Sequence, residues 1–304
     1  MRSDRGTIFL ERGEILQHLA FPAEQYVLRV VAPKTAATAV PGSFAHIRCD
    51  DAVPLRRPLS IMRTDPEVGW VEFLYKPVGE GLSRLAQRAV GETLDLLGPI
   101  GRGFALDIDR TRILALGGGV GIPPMIFVAD WVRTNARFEP LVLMGSEVPF
   151  PFTTVEARVE AGPQPAQARD AMALLEDWGV PSRLASKAGL AGSFDGYVTD
   201  LARHGLAHSS AEQLAATQIL ACGPEPMLRA SANLAAEFDL PCQLALEEFM
   251  ACGVGGCAGC TVLLATAAGP AMKRVCVDGP VFDAREVYPD LAWPKKTAAG
   301  LSQN

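Results

Sequence analysis

The clearest structural signal in the chain is the segment Arg112-Ile-Leu-Ala-Leu-Gly-Gly-Gly-Val-Gly-Ile-Pro-Pro124, which continues as Met125-Ile-Phe-Val-Ala-Asp-Trp-Val132. Its apolar start is typical of a short buried strand, its glycines of a tight turn, and its continuation of a helix. A second buried strand is predicted at Leu141–Met144, and a third at Gln218–Ala221, which runs into Cys222-Gly-Pro-Glu-Pro-Met. Strands that alternate with helices predict a parallel α/β sheet for this part of the chain.

The glycine-rich turn after the first of these strands is a candidate phosphate-binding loop. It lacks the G-x-G-x-x-G pattern, because Ile122 stands where the third glycine would be. Glycine still lets the backbone approach a pyrophosphate, Pro123 suits the first turn of a helix, and free amides at a helix N-terminus attract anions. The alternative is an ordinary strand-to-helix turn. The turn at Cys222 favours a binding site, because ligands bind such sheets in the crevice at the carboxyl ends of the strands. The predicted nucleotide-binding residues are Gly117, Gly118, Gly119, Val120, Gly121, Cys222, Gly223 and Pro224.

Glu147 follows the second buried strand, where an acidic residue can bind the hydroxyls of an adenosine ribose. No Arg or Lys lies nearby until Arg158, which favours NAD over NADP. A carboxylate exposed on a loop is the alternative interpretation.

Residues 12–106 read as short strands separated by Gly and Pro, which predicts a small antiparallel barrel. The tetrapeptide Arg57-Pro58-Leu59-Ser60 is expected between two of its strands. Its Arg can pair with a phosphate and its Ser can bond a flavin edge, although an Arg exposed to solvent is the alternative. Leu74-Tyr75-Lys76 and Gly79-Glu-Gly81 come about one strand later, and the glycines form a second candidate phosphate cradle before a helical segment. Together these motifs favour a flavin site.

Four of the seven cysteines form a pattern typical of a metal cluster. Cys252, Cys257, Cys260 and Cys276 have the spacing C-x4-C-x2-C-x15-C, with glycine-rich sequence between the first two. This is the plant-type [2Fe–2S] spacing, and glycines leave room for a backbone that wraps closely around an inorganic core. Zinc is the alternative, although zinc sites usually pair their ligands. The chain's four histidines are remote in sequence, which argues against a Rieske-type site. The other thiols, Cys49 and Cys242, are predicted to be ordinary buried ones.

Composition narrows the class of protein. The chain has 304 residues, 49% of them hydrophobic and 20% charged, so it can bury a large core over two or three domains. A net charge of −6 does not suggest a nucleic-acid or anionic-membrane partner. No apolar run reaches the roughly 20 residues needed to span a bilayer, and no secretory signal is evident at the start. Clustered cysteines fit metal ligation in a reducing compartment, so the expected location is the cytoplasm.

In these motifs and their order the sequence resembles the electron-transfer subunits of the heteromeric, NAD-dependent (B-type) dihydroorotate dehydrogenases, a branch of the ferredoxin-NADP reductase superfamily. The matching segments span nearly the whole chain and are Arg57-Pro-Leu-Ser-Ile, Gly79-Glu-Gly, Leu97-Gly-Pro-Ile-Gly-Arg-Gly-Phe, Gly117-Gly-Gly-Val-Gly-Ile-Pro-Pro-Met, Cys222-Gly-Pro-Glu-Pro-Met-Leu, Glu247-Glu-Phe-Met-Ala-Cys-Gly-Val-Gly-Gly-Cys-Ala-Gly-Cys and Val275-Cys-Val-Asp-Gly-Pro-Val-Phe.

The resemblance implies an FAD-binding β-barrel at residues 1–107, an NAD-binding α/β domain with a Rossmann-like sheet at 108–240, and a small [2Fe–2S] module at 241–304. It implies that Cys252, Cys257, Cys260 and Cys276 hold the cluster. The residues it implies for FAD are Arg57, Pro58, Leu59, Ser60, Leu74, Tyr75, Lys76, Gly81 and Leu82. Two of them depart from the family pattern: Leu82 stands where Thr is usual, and Lys76 where Arg is commoner.

The resemblance also implies a function and a partner. Electrons would pass from the FMN of a separate dihydroorotate dehydrogenase catalytic subunit through [2Fe–2S] and FAD to NAD+, in pyrimidine (UMP) biosynthesis. The expected assembly is a heterotetramer of two plus two, and no acid–base catalytic residue is expected in this chain. Two alternatives stay open: a flavin and [2Fe–2S] NAD(P)H reductase subunit that serves ferredoxin, a hydrogenase or a sulfide/sulfur reductase, and a zinc-stabilised binding module without a redox role.

Overall fold

The computed structural model describes residues 7–294, and its N-terminal part is a closed barrel of six antiparallel strands in the order β1-β2-β5-β4-β3-β6. The strands are β1 (Phe9–Phe21), β2 (Gln25–Val31), β3 (Phe44–Arg48), β4 (Arg57–Asp65), β5 (Trp70–Tyr75) and β6 (Thr93–Ile100), with the short helices α1 (Pro33–Thr38) and α2 (Gly79–Leu85) between them. On β3, Ala45 and Ile47 face the barrel interior, while Phe44 and His46 face outward. The predicted antiparallel barrel is confirmed.

The segment Arg57–Ser60 lies between β3 and β5 in the chain, as expected, and is itself part of a strand, β4. It forms the first half of β4 and pairs there with β3, and pairing with β5 begins only at Ile61. Pro58 lacks an N–H and therefore fits a stretch where the β5 side of the strand is not yet paired.

The second part of the chain is a seven-stranded sheet flanked by helices. Its strands are β7 (Arg112–Gly118), β8 (Glu139–Gly145), β11 (Ser182–Ser186), β12 (Phe194–Asp195), β13 (Thr217–Cys222), β14 (Cys242–Ala245) and β17 (Val281–Asp283), and β9 (Thr154–Glu156) pairs with β10 (Asp170–Met172) apart from it. The helices are α3 (Ile122–Val132), α4 (Ala173–Asp177), α5 (Val198–Ala207), α6 (Ala211–Ala215), α7 (Glu225–Glu237) and α8 (Ala284–Val287), with a 3-10 turn at Gly119–Gly121.

The strand order of this sheet is β12-β11-β8-β7-β13-β14-β17, parallel throughout except at β17. The predicted parallel α/β sheet is therefore confirmed. Helix α4 begins only at Ala173, because Asp170–Met172 pair with β9.

Helix α3 joins the barrel to the sheet. Nine of its eleven residues are buried, as expected for a helix that is apolar on every side. Phe127 packs into the barrel core, whereas Met125 and Ile126 pack with sheet residues and with Leu74 of β5. The helix that follows the glycine loop is thus wedged against the barrel.

Beyond β14 the chain forms the cysteine loop, defined here as residues 252–260, and a ribbon of two strands, β15 (Thr261–Thr266) and β16 (Gly269–Arg274). The chain then returns to the sheet through β17. Within residues 7–294, no helix is long and apolar enough to cross a membrane.

Candidate functional site

The carboxyl ends of β7 and β13 meet where the strand order of the sheet reverses, which is the usual ligand position in such sheets. Here the glycine loop 117–121 touches the turn at Cys222. A Cβ on Gly121 would lie 2.2 Å from the carbonyl oxygen of Cys222, and a Cβ on Gly118 would lie 2.3 Å from the sulfur of Met227. Glycine is therefore required at 121, where the Cβ would meet backbone, whereas at 118 the flexible side chain of Met227 could shift. The two predicted halves of the nucleotide site lie in contact at the carboxyl ends of β7 and β13.

The other residues predicted for this site lie at the same edge of the sheet. Gly119 has a φ of +55° and open space where a Cβ would be, and Val120 is 40% exposed, so this part of the loop faces outward. Pro224 caps the start of α7. Glu147 is exposed just beyond β8, the strand beside β7.

The thiol of Cys222 is buried beneath the crevice. Its pKa is raised well above the usual range, first by burial and then by the carboxylate of Glu247, so the thiol stays protonated at neutral pH. Desolvation also raises the pKa of the Glu247 carboxyl, although part of that side chain reaches solvent. The segment that leads into the cysteine loop therefore lies close to the carboxyl end of β13.

Arg57 and Gly81 lie together at the start of α2. A Cβ on Gly81 would lie 3.0 Å from Nε of Arg57, so the guanidinium covers this turn. Arg57 donates to the carbonyl oxygens of Leu55, at 2.8 Å, and of Arg56, at 3.3 Å, which holds the side chain in place. The arrangement places a positive charge over a close-packed backbone turn, which is suited to a phosphate.

The remaining residues predicted for FAD divide by exposure. Leu59, Leu74 and Tyr75 are buried, so they could meet a cofactor chiefly through their backbone. Tyr75 is fixed in the barrel, because its hydroxyl donates to Nε2 of His18 at 2.8 Å while Nδ1 of that ring bonds the carbonyl oxygen of Arg88. The half-buried members are Pro58, Ser60, Lys76 and Leu82. Ser83, the hydroxyl residue next to Leu82, donates to the carbonyl oxygen of Gly79 at 3.0 Å.

The structure gathers the four predicted ligand thiols into two pairs in contact. The sulfurs of Cys260 and Cys276 are 3.3 Å apart and buried. The amide of Cys257 donates to the sulfur of Cys252 at 3.4 Å, and the amide of Gly259 donates to the sulfur of Cys257 at 3.4 Å. Cys49 and Cys242, two of the three remaining thiols, are buried, as predicted.

Backbone amides aimed at sulfur make this loop suitable for thiolates. Burial alone would raise the pKa of Cys252, but amides of Val254, Cys257 and Gly256 together lower it to about 7. Burial and the Cys260 thiol raise the pKa of Cys276 to about 12. No set of three or more His, Cys, Asp or Glu side chains within residues 7–294 forms a ready-made site for a single metal ion. Four thiols with amides directed at them fit the donor set of an iron–sulfur cluster.

The cysteine loop and ribbon rest on the outer face of the barrel. Cys260 and Cys276 share a buried core with Phe44 of β3 and Ile100 of β6. His46, next to Phe44 on the same face, is completely buried, and its pKa is lowered to about 4 by burial and by the charge of Arg56. Sequence reasoning overlooked His46, since a lone His in a strand carries no motif and only the tertiary contact shows what it faces.

Comparisons with known proteins agree with this architecture. The family model described as the iron–sulfur cluster binding domain of dihydroorotate dehydrogenase B matches residues 247–288. A dihydroorotate dehydrogenase B (NAD+) electron transfer subunit from Desulforamulus reducens is 31% identical over 269 residues, covering 86% of this chain and 92% of that protein. The protein of the same name from Bacillus caldolyticus is 35% identical over 254 residues, covering 81% and 86%.

Among solved structures, an NADH-dependent reduced ferredoxin-NADP oxidoreductase superposes with a TM-score of 0.72 at 24% identity, covering 92% of this chain and 91% of that one. The ferredoxin reductase of carbazole 1,9a-dioxygenase gives a TM-score of 0.60 at 21% identity, covering 77% and 67%. At such identities these structures establish a shared fold.

Proposed function

The chain belongs to the family of dihydroorotate dehydrogenase B (NAD+) electron transfer subunits, and from this premise we propose that it transfers electrons between a partner catalytic subunit and NAD+. The partner would be an FMN-containing dihydroorotate dehydrogenase subunit, in a heterotetramer of two plus two. Electrons from dihydroorotate would pass by way of [2Fe–2S] and FAD to NAD+, in pyrimidine biosynthesis in the cytoplasm. The division of the chain at residues 107 and 240 is part of the same proposal.

One observation carries the proposal: strand β3 and its neighbour β4 connect all three candidate sites. The first half of β4, with Arg57, pairs with β3, and the outer face of β3 supports the cysteine loop. Helix α3, which begins at the glycine loop, packs against β4. A chain that passes electrons between three groups needs those groups close together on a rigid frame, and these contacts supply one.

The residues present fit the groups they would hold. Cys252, Cys257, Cys260 and Cys276 would hold the cluster. The turn at Gly81 together with Arg57 would take the FAD phosphates, with further contacts from Pro58, Leu59, Ser60, Leu74, Tyr75, Lys76 and Leu82. The crevice between the glycine loop 117–121 and Cys222–Pro224 would take NAD, with Glu147 at the ribose. A flavin supplies the exchange between single electrons and hydride that neither an iron–sulfur cluster nor nicotinamide performs alone.

The side chains then have separate roles. Arg57 neutralises phosphate charge, and Gly121 lets the glycine loop come into contact with the turn at Cys222. The protonated Cys222 adds no charge beneath the nicotinamide crevice. The exposed side of the cysteine loop, at Cys257, leaves an approach for the partner subunit, while Cys260 and Cys276 anchor the loop in the protein.

The test is co-expression with the candidate catalytic subunit, followed by assay of dihydroorotate-dependent NAD+ reduction. Wild-type complex should show flavin and reddish-brown cluster absorbance and should reduce NAD+. Cys257→Ser should abolish dihydroorotate-to-NAD+ transfer and preserve NADH oxidation by an artificial acceptor. Survival of both activities would overturn the proposed electron path. A colourless wild-type protein containing zinc would point to the binding-module alternative, and activity only with ferredoxin, hydrogen or sulfur compounds to the other reductases.

A further inference from the structure

His46 is a buried polar side chain whose ring nitrogens lack partners. It is 0% exposed, and among the described residues neither Nδ1 nor Nε2 has a hydrogen-bond partner. Buried polar groups are nearly always paired, because an unmade hydrogen bond in the protein interior costs free energy. This exception therefore indicates a partner that the polypeptide itself does not provide.

The ring faces the cysteine loop. A Cβ on Gly253 would lie 2.8 Å from Cε1, 2.9 Å from Nδ1 and 3.1 Å from Nε2 of His46, so this glycine lies over the face of the ring. Gly253 has a φ of +66° and directly follows the ligand Cys252. A larger residue at 253 would meet the ring and would also be strained by the backbone conformation.

The same histidine lies beside the candidate flavin motif. In the barrel register His46 is opposite Pro58 of β4 on one side and Leu97 of β6 on the other. Its carbonyl oxygen accepts from Nη1 of Arg56 at 3.4 Å, and that Arg also pairs with Asp95 of β6. The backbone of His46 is thus held by neighbouring barrel strands, while the face of its ring lies against the cysteine loop.

We propose that His46 is the positioning residue of the cysteine loop, supporting Gly253 with the face of its ring and offering its single N–H, which has no partner among the described residues, to the sulfur-rich group that the loop holds. This inference rests on the proposed function, since it needs a cluster in the loop. Hydrogen bonds to the sulfurs of such clusters are among the determinants of their reduction potential. An N–H donor on the barrel, which carries the candidate flavin site, would help to set the reduction potential of the cluster. It would also hold the cysteine loop in place against β3.

The test compares two variants of nearly equal size, His46→Gln, which keeps an N–H donor, and His46→Met, which has none. Phe44→Leu is the packing control, because Phe44 lies on the same face and in the same buried core without a polar atom. Each is purified as the complex with the catalytic subunit. The readouts are iron and sulfide content, the midpoint potential of the cluster by redox titration with electron paramagnetic resonance, and the rate of iron release to a chelator.

Loss of the donor should disfavour the reduced, more negative cluster. At a fixed solution potential, His46→Met is expected to raise the ratio of oxidised to reduced cluster about tenfold, which corresponds to a midpoint potential about 59 mV lower for a one-electron couple. The same variant is expected to release iron about tenfold faster. His46→Gln and Phe44→Leu should retain the wild-type potential.

Equal potentials in the Gln and Met variants, or a wild-type potential in His46→Met, would overturn the assignment to His46 while leaving the proposed function intact. A wild-type complex without iron and sulfide would refute the proposed function itself, and the inference with it. If His46→Met does not fold, a wild-type potential in His46→Gln supports the proposal, and a shifted one contradicts it.

Discussion

Replacing Gly121 with alanine should open the nucleotide crevice. Gly121 has a φ of −85°, which alanine tolerates, so the penalty is purely steric. The new Cβ would lie 2.2 Å from the carbonyl oxygen of Cys222, and reaching an ordinary contact of 3.4 Å requires the two backbone segments to part by about 1.2 Å. Overpacking against backbone costs about 3 kcal/mol, the upper end of such effects. A displacement of about 1 Å in a substrate-positioning element can lower kcat/KM about a hundredfold.

Gly179→Ala, between α4 and the start of β11, is the matched control away from the nucleotide crevice. Its Cβ would meet nothing within 4 Å, and the positive φ of 70° costs alanine only about 1 kcal/mol. The assay is NADH oxidation with ferricyanide as acceptor, with flavin content and urea unfolding measured on the same preparations. Gly121→Ala should lose most of its kcat/KM for NADH with flavin retained, whereas Gly179→Ala should stay within a few-fold of wild type. Equal kinetics in the two variants would show that contact between the two turns does not shape the nucleotide site.

Three further outcomes are expected. Arg57→Ala should lower the FAD content of the purified protein by about tenfold, as expected for the loss of one charge-assisted hydrogen bond. Arg84→Ala should not lower it, because Arg84 is already paired with two carboxylates. Ultraviolet–visible spectra recorded after desalting measure the FAD content. Cys276→Ser should lower the iron and sulfide content of the protein, whereas Cys49→Ser should leave iron and sulfide unchanged, as measured by elemental and sulfide analysis. Equal losses in these two variants would contradict the ligand assignment. Because burial lowers the pKa of His46 from 6.5 to about 4, the unfolded chain binds the extra proton and stability falls as pH drops through that window. Relative to the His46→Gln variant, the wild-type protein should lose about 3 kcal/mol of unfolding free energy as the pH falls from 6.5 to about 4. Parallel plots of unfolding free energy against pH for the two proteins would contradict this.

The parts of the fold that sequence predicts are those with local signals. The glycine loop and the turn at Cys222 are recognisable because each follows a short apolar run, and the geometry of parallel sheets then brings them together. The thiol set follows from spacing alone. In contrast, β1 escapes prediction because Leu10, Leu16 and Leu19 are exposed on it while Gly13 and Ile15 are buried, so no clean alternation appears.

Contacts made across the fold leave no such trace. The carboxylate of Glu72 is paired with two arginines on different barrel strands, and His46 meets Gly253 from more than two hundred positions away in the chain. Neither residue stands out in a linear reading, because partners distant in sequence are set by register and packing. The candidate ligand residues can therefore be identified from the sequence, whereas the residues that position them cannot.

The cysteine loop depends on both larger parts of the protein for its conformation. Its ligands Cys260 and Cys276 pack with Phe44 and Ile100 of the barrel, and the segment after Cys276 returns to the sheet, where β17 pairs with β14. An isolated fragment from residue 241 onward would keep the β14–β17 pair but would lose the barrel and β13, and it would expose the apolar residues that they cover. Cluster binding should therefore stabilise the barrel and the sheet together, because a ligand that binds only the folded loop shifts the unfolding of everything packed against it.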